Sequence, residues 1–423
     1  MRECAFCGKP KNEVKQLLET DRSAICNKCV ASAVQAMGGE APVAAKKKEE
    51  KPLLRPKEIM GWLDQFVISQ DKAKRDISVA VYNHYKRREA LRKGLVMAEE
   101  LGKVEIQKSN VLLLGPSGTG KTEIARAISR MLGVPFYVAD ATRMTQAGYV
   151  GDDVESMLQG LIGDAGGDIE RAEWGIIFVD EIDKLARKSG RSVSGSRDVT
   201  GEGVQQALLK LVEGSRVIVP RGLNKFVGDR GADVLDTTNI LFVCAGSFAG
   251  IEDVVRRRVN KAARIGFGDS AGKKDLDTTE VYLQIIEEDI LEFGMIPELM
   301  GRLPVLTTTL PMTEDELVRV LTEPKNALVT QFKALMAMDG ISLVFEVEAL
   351  KAIGREAQKR PTGARALRSI LEDLLRDYVF EHAGDPTVQA IQITQDVVER
   401  RAGANIVRVT EKPEPSSPKM RTS

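Results

Sequence analysis

Short apolar runs at Val111 to Leu114, Phe136 to Ala139, Ile176 to Val179 and Ile240 to Ala245 stand out against a mixed background. Each is nearly continuous rather than alternating, the pattern of a strand buried on both faces. Helical stretches separate them, so residues 58–310 are predicted to form an α/β fold, a parallel sheet with helices on both faces. Past Pro311 the period changes. Thr313 followed by Glu316 reads as a capping box that opens a helix. Leu367, Ile370, Leu371, Leu374, Leu375, Tyr378 and Val379 recur at i, i+3, i+4, i+7, i+8, i+11 and i+12, one apolar stripe on a helix that begins after Gly363. Val388 to Thr394 and Asn405 to Val409 are candidate strands. Residues 311–410 therefore read as a small, mainly helical domain.

Elsewhere the periodicity is lost. Residues 39–57 combine Gly-Gly, prolines and a lysine run, the composition of a flexible linker. Ser189 to Ser196 and Gly266 to Lys274 are rich in glycine and serine and read as loops. The tail at 411–423, rich in proline and serine, is expected to be disordered. Lys plus Arg and Asp plus Glu both total 61, so no net charge draws a polyanion, which counts against a nucleic-acid partner. The apolar runs are too short to cross a bilayer, and Met1 to Phe6 lack the pattern of a signal peptide. The expectation is no membrane partner and a cytoplasmic location.

Four of the five cysteines fall within residues 1–38, as Cys4-x2-Cys7 and Cys26-x2-Cys29. In a cytosolic protein that spacing reads as a zinc site rather than as disulfides. Too few apolar residues surround them to build a core, so metal ligation would supply the folding energy. Four thiolates around one tetrahedral ion leave no open position, which makes the site structural. Cys244, inside an apolar run, reads as a buried small hydrophobe.

Gly115-Pro116-Ser117-Gly118-Thr119-Gly120-Lys121-Thr122 matches the P-loop pattern G-x-x-x-x-G-K-[ST]. It follows a predicted strand and opens a predicted helix, the context in which backbone N–H groups and a helix N-terminus cradle phosphate. Lys121 would reach the β- and γ-phosphates of ATP, and the Thr122 hydroxyl would ligate Mg2+. Further along, an apolar run ends in Asp180-Glu181. Two carboxylates at the end of a buried strand lie beside the phosphates. Asp180 would hold the magnesium, directly or through water, and Glu181 would act as general base on the attacking water. Arg302 and Arg365 are placed to supply positive charge to the transition state. From the residues alone, each is also compatible with an ordinary surface arginine.

Together the cysteine unit, the P-loop, Ile176 to Asp183, Arg197 to Lys210, Ile296 to Pro304 and Gly363 to Ser369 resemble the ClpX family of ring-forming AAA+ unfoldases. The similarity covers about residues 3 to 400. It implies an ATPase that forms a homohexamer, unfolds protein substrates delivered directly or by adaptors, and passes them into the ClpP peptidase. Val67 and Ile68, with Tyr82 to Lys86, match the segment near the adenine. Arg302 matches the finger that reaches the nucleotide of the neighbouring subunit, and Arg365 matches the sensor arginine that touches nucleotide in its own subunit. Tyr149 and Val150, in Gly148-Tyr149-Val150-Gly151, match the axial pore loop, and Arg197 falls where a second pore loop is expected. Ile265-Gly266-Phe267, read as part of a glycine-rich loop, matches the tripeptide that docks on the peptidase.

Two segments depart from the family pattern. Arg221 to Lys225 lacks the histidine and the contiguous bases of the loop that surrounds the pore entrance, which bears on tag recognition. The last apolar run ends Cys244-Ala245-Gly246-Ser247-Phe248, which puts Ser247 where a polar sensor would sit. A related unfoldase that serves a different peptidase is disfavoured by the cysteine unit and by Ile265-Gly266-Phe267.

Overall fold

Five strands, not four, form the central sheet: β1 (Val111–Leu114), β2 (Phe136–Asp140), β3 (Ile176–Asp180), β4 (Leu241–Gly246) and β5 (Val305–Thr308). In this computed structural model the described residues are 3–10, 13–14, 17–19, 23–36, 54–93, 106–145, 152–187, 199–220, 232–266 and 276–408. The chain divides into two units, residues 1–53 and 54–423.

In the second unit all five strands run parallel in the order β5-β1-β4-β3-β2. Every residue of β1 and β4 is buried, as continuous apolar runs require. Val111 lies opposite both Val243 and Val305, and Asp140 opposite Asp180. The order brings the ends of β1, β3 and β4 together at the carboxyl edge of the sheet. One apolar core runs from Leu112 to Leu303 and takes in Phe242, Phe248 and Leu208.

The fifth strand escaped the sequence reading because its inner half is Thr307-Thr308, followed by Thr309. All three are buried. Thr307 donates to Asp76 at 2.7 Å, and Thr309 donates to the Leu114 carbonyl at 3.2 Å. Those bonds satisfy hydroxyls that a hydrophobic pattern counts as surface.

Beyond Pro311, Thr313 caps the helix Glu314–Thr322 with the expected reciprocal bonds to Glu316. The striped helix spans Arg365–His382, with Leu367, Ile370, Leu371 and Leu375 buried but Val379 exposed. Val388–Ile393 and Asn405–Arg408 are strands, and Ser342–Phe345 joins them as an unanticipated third at the edge of the sheet. A helix begins at Pro56, capped by Arg55, two residues inside the stretch expected to be linker. Ile265 and Gly266, expected in a loop, are the last residues of the helix Ile251–Gly266.

In the first unit, strands Leu17–Glu19 and Ala24–Cys26 pair antiparallel and lead directly into the helix Asn27–Ala36.

Candidate functional site

Cys26 ends a strand, and Cys29 follows in the first turn of the next helix. Cys4 and Cys7 flank a turn closed by the Gly8 N–H on the Cys4 carbonyl at 2.8 Å. The four sulfurs lie within 4.8 Å of one another, and Cys7 Sγ is 3.7 Å from Cys26 Sγ. A Zn–S length of about 2.3 Å fixes tetrahedral S···S edges of about 3.8 Å, so the cage fits zinc. Its electrostatics point the same way. Burial opposes ionisation of Cys4, yet N–H groups such as that of Cys26, 3.2 Å from the sulfur, bring its pKa down to about 6. Hydrogen bonding to Cys7 and burial push Cys29 up to about 12. Four thiolates this close require a cation among them.

The P-loop joins β1 to the helix Lys121–Leu132. Gly115 (φ 147°) and Gly118 (φ 78°) adopt backbone conformations that disfavour a side chain, and both are crowded as well. A Cβ on Gly115 would lie 2.0 Å from Thr309 Oγ1. One on Gly118 would lie 2.2 Å from the Thr362 carbonyl. Among the described residues, no backbone carbonyl accepts from the N–H groups of Ser117, Gly118, Thr119 or Gly120. The loop therefore presents the donors that a phosphate chain would accept.

Lys121 is buried and donates to the Gly115 and Pro116 carbonyls at 2.6 and 2.8 Å. Burial lowers its pKa to about 8, against the opposing pull of Asp180. The Thr122 hydroxyl donates to Asp180 Oδ2 at 3.2 Å, so the two residues expected at magnesium are adjacent. Glu181 is exposed and left-handed, φ 57° and ψ 33°, with its N–H on Asp180 Oδ1 at 3.0 Å. Holding a non-glycine residue there costs about 1 kcal/mol or more. Arg365 reaches across the loop, with Nη1 3.4 Å from Ser117 Oγ and Nη2 4.0 Å from Asp180 Oδ2. Val67 and Ile68 are buried, and a Cβ on Gly120 would lie 3.4 Å from Val67 Cγ1.

Other residues lie elsewhere. Arg302 sits at the opposite edge of the sheet. Its carbonyl accepts from Asn110, just ahead of β1, and its Nε lies 3.0 Å from Glu213 Oε1. A four-residue strand puts that edge roughly 13 Å from the P-loop. His84, from the segment paired with Val67 and Ile68 in the sequence reading, is buried beside Tyr85. Burial, reinforced by the charges of Arg87 and Lys108, lowers its pKa to about 3. Lys108 donates to the Thr237 carbonyl ahead of β4, which places His84 near the amino edge of the sheet. Tyr149, Val150, Arg197, Phe267 and the segment 221–225 lie outside the described residues.

Three participants were not anticipated. Thr309 Oγ1 is 2.6 Å from Thr119 Oγ1 and props the P-loop from below. Asp183 accepts from both the N–H and the hydroxyl of Ser247, at 3.1 and 3.2 Å, which fixes the end of β4 against β3. Gln70, left-handed at φ 61°, holds the Leu310 carbonyl at 2.9 Å and its N–H at 2.7 Å. The only sequence clue to Asp183 was its place in the acidic cluster after β3. Thr309 and Gln70 carried none, since their partners are remote in sequence.

Residues 2–38 match the ClpX C4-type zinc finger, residues 106–306 the AAA domain (Cdc48 subfamily), and residues 312–394 the C-terminal, D2-small domain of ClpB protein. The chain is 44% identical over 384 residues to the ATP-dependent Clp protease ATP-binding subunit ClpX of Treponema denticola, 89% of each chain. It belongs to the ClpX family. The ATP-dependent Clp protease ATP-binding subunit ClpX 3 of Methylococcus capsulatus is 43% identical over 416 residues, 97% of this chain and 95% of that one. As a ClpX-family member the protein is an AAA ATPase, not a peptidase, that takes ATP with Mg2+ and carries a zinc finger. Among the described residues no helix is long and apolar enough to cross a membrane.

Proposed function

We propose that this ATPase works as a homohexameric ring that unfolds protein substrates and threads them into the ClpP peptidase. The names of its relatives, as ATP-binding subunits of a Clp protease, support that assignment. The observation that carries the ring is the separation of the two arginines. Arg365 lies on the P-loop of its own chain. Arg302 is half-exposed at the far edge of the sheet, where it serves a nucleotide only on a second copy.

In this reading residues 1–38 are the zinc domain, 39–57 a linker, 58–310 the large ATPase domain, 311–410 the small domain and 411–423 a tail. Cys4, Cys7, Cys26 and Cys29 hold the zinc. The P-loop N–H groups and Lys121 hold the phosphates, and Val67 and Ile68 flank the base. Thr122 and Asp180 would hold the magnesium, which would supply positive charge to the phosphate oxygens. Glu181 takes the proton of the attacking water, while Arg365 in cis and Arg302 in trans stabilise the charge that develops. Leu310, held by Gln70, lies where the large and small domains change their angle. Tyr149, Val150 and Arg197 grip the substrate, and Ile265, Gly266 and Phe267 dock on the peptidase. The location is cytoplasmic, and adaptors extend the range of substrates.

Glu181→Gln tests the scheme. The variant is expected to bind ATP, assemble and slow hydrolysis by about a hundredfold or more. Purified with ATP, it should retain diverse proteins and a serine peptidase, identified by mass spectrometry. Retention of nucleic acid instead, or undiminished turnover, would sink the assignment.

A further inference from the structure

We infer that Gln205 is a positioning residue that couples the hydrolytic strand end of one subunit to the arginine finger that subunit offers its neighbour. The inference rests on the proposed roles of Glu181 and Arg302. Gln205 lies on the helix Val199–Glu213, is completely buried, and uses both ends of its amide. Nε2 donates to the Leu185 carbonyl at 2.7 Å and reaches the Gly294 carbonyl at 3.5 Å. Oε1 accepts from the Ile296 N–H at 2.9 Å.

These partners belong to two functional segments. Leu185 ends the short 3-10 turn that follows Asp180 and Glu181. Ile296 caps the short helix Pro297–Met300, and Arg302 follows two residues after that helix. The two segments also touch directly. Arg187 N–H donates to the Gly294 carbonyl at 2.9 Å, and a Cβ on Gly294 would lie 2.4 Å from the Arg187 carbonyl oxygen. A Cβ added at Gly201, one turn before Gln205 on the same helix, would lie 2.6 Å from the Leu185 carbonyl oxygen. The strip leaving the hydrolytic site is therefore pressed onto this helix with no slack. The last residue of the helix, Glu213, meets Arg302 itself at 3.0 Å.

One stiff element thus holds the finger segment at two points and the hydrolytic segment at a third. The primary amide of Gln205 donates to carbonyls on one side and accepts from an N–H on the other. Methionine keeps the shape and loses both functions, whereas glutamate keeps the acceptor and retains a donor only in its protonated form. A displacement of Leu185 when nucleotide is turned over is carried by Gln205 to Ile296, and from there to Arg302.

Full-length mixed rings test this. Glu181→Gln subunits have no turnover of their own, so hydrolysis in a ring mixed with native subunits reports on fingers supplied in trans. With variant subunits in excess, adding Gln205→Met to Glu181→Gln should slow the native sites about fivefold or more relative to Glu181→Gln alone. Their KM for ATP should stay unchanged. Glu181→Gln with Arg302→Ala sets the floor, and Glu181→Gln with Gln205→Glu should fall between. If the Arg302 combination slows native sites but neither Gln205 combination does, the coupling role is wrong. If the Arg302 combination has no effect either, the finger assignment has failed and the inference falls with it. A Gln205→Met subunit that does not assemble leaves the Gln205→Glu subunit to decide on the same readout. A fall in ATP affinity without a fall in kcat would mark Gln205 as ordinary packing and overturn the proposal.

Discussion

The zinc unit and the ATPase unit hold their functional atoms by opposite means. Among the described residues of the first unit, the buried apolar side chains are Cys4, Ala24 and Cys26, two of which are proposed ligands. In the second, the P-loop and the end of β3 rest on a core that extends far beyond them. In the first the site is the fold, whereas in the second the site is mounted on a fold that survives its loss. Zinc chelation should therefore produce the largest and most local effect. Removing a structural zinc withdraws on the order of 10 kcal/mol. Hydrogen exchange should lose all protection across residues 3–36 while 54–408 stay unchanged. Loss spreading into the β1–β5 sheet would erase the distinction between the units.

Lys121→Ala probes the other side of the comparison. It should cut ATP affinity about a hundredfold, since a buried charge-assisted contact to phosphate is lost. Yet the melting of the ATPase unit should shift little. Burial already disfavours the charge on Lys121, and the methyl group that replaces it removes that penalty together with the bonds to Gly115 and Pro116. Calorimetric titration and melting on one preparation separate the two quantities. A large drop in stability would mean that this site, like the zinc cage, is part of what folds the unit.

The sequence was most readable where chemistry is local in the chain. The P-loop, the run that ends in Asp180-Glu181 and the two cysteine pairs each declare themselves within eight residues, because one turn or strand end builds each. What stayed hidden is assembled over long separations. Thr309 meets Thr119 across 190 positions, and Gln70 meets Leu310 across 240. The fifth strand was lost to three buried threonines, and the hydroxyls of Thr307 and Thr309 find partners that no local pattern encodes. Ile265 and Gly266 illustrate the opposite error. Glycine-rich surroundings suggested a loop, but the helix that starts at Ile251 carries through them. The placement of Arg302 far from the P-loop needed the sheet order, which no spacing along the chain contains.

A pH titration sharpens the contrast further, with a smaller effect. Phosphate favours the charged form of Lys121, so binding raises a pKa that lies at about 8 in the free protein. The sign follows: ATP affinity is flat well below pH 8 and declines as pH rises through it, by up to about tenfold per unit until the pKa of the complex is reached. Lys121→Ala should flatten that limb. A decline that persists in the variant would assign it to another group.

The smallest effect, and the finest test of the scaffold, concerns Gln70. Its two bonds to Leu310 tie the segment behind Val67 and Ile68 to the second residue beyond β5, and it makes them from a left-handed conformation shared with Ser69. Removing the amide leaves the Leu310 N–H and carbonyl without these partners, at a cost of about 2 kcal/mol in the ATPase unit and none in the zinc unit. Alanine and glycine both remove the clasp, but only glycine relieves the left-handed backbone. Gln70→Gly should therefore be less destabilising than Gln70→Ala by about 1 kcal/mol, against the usual ranking of these residues. Denaturant melts of the two variants decide it. If alanine proves the milder substitution, the segment has relaxed out of its left-handed turn once the clasp is gone, and Gln70 sets the conformation next to the nucleotide as well as its attachment to Leu310.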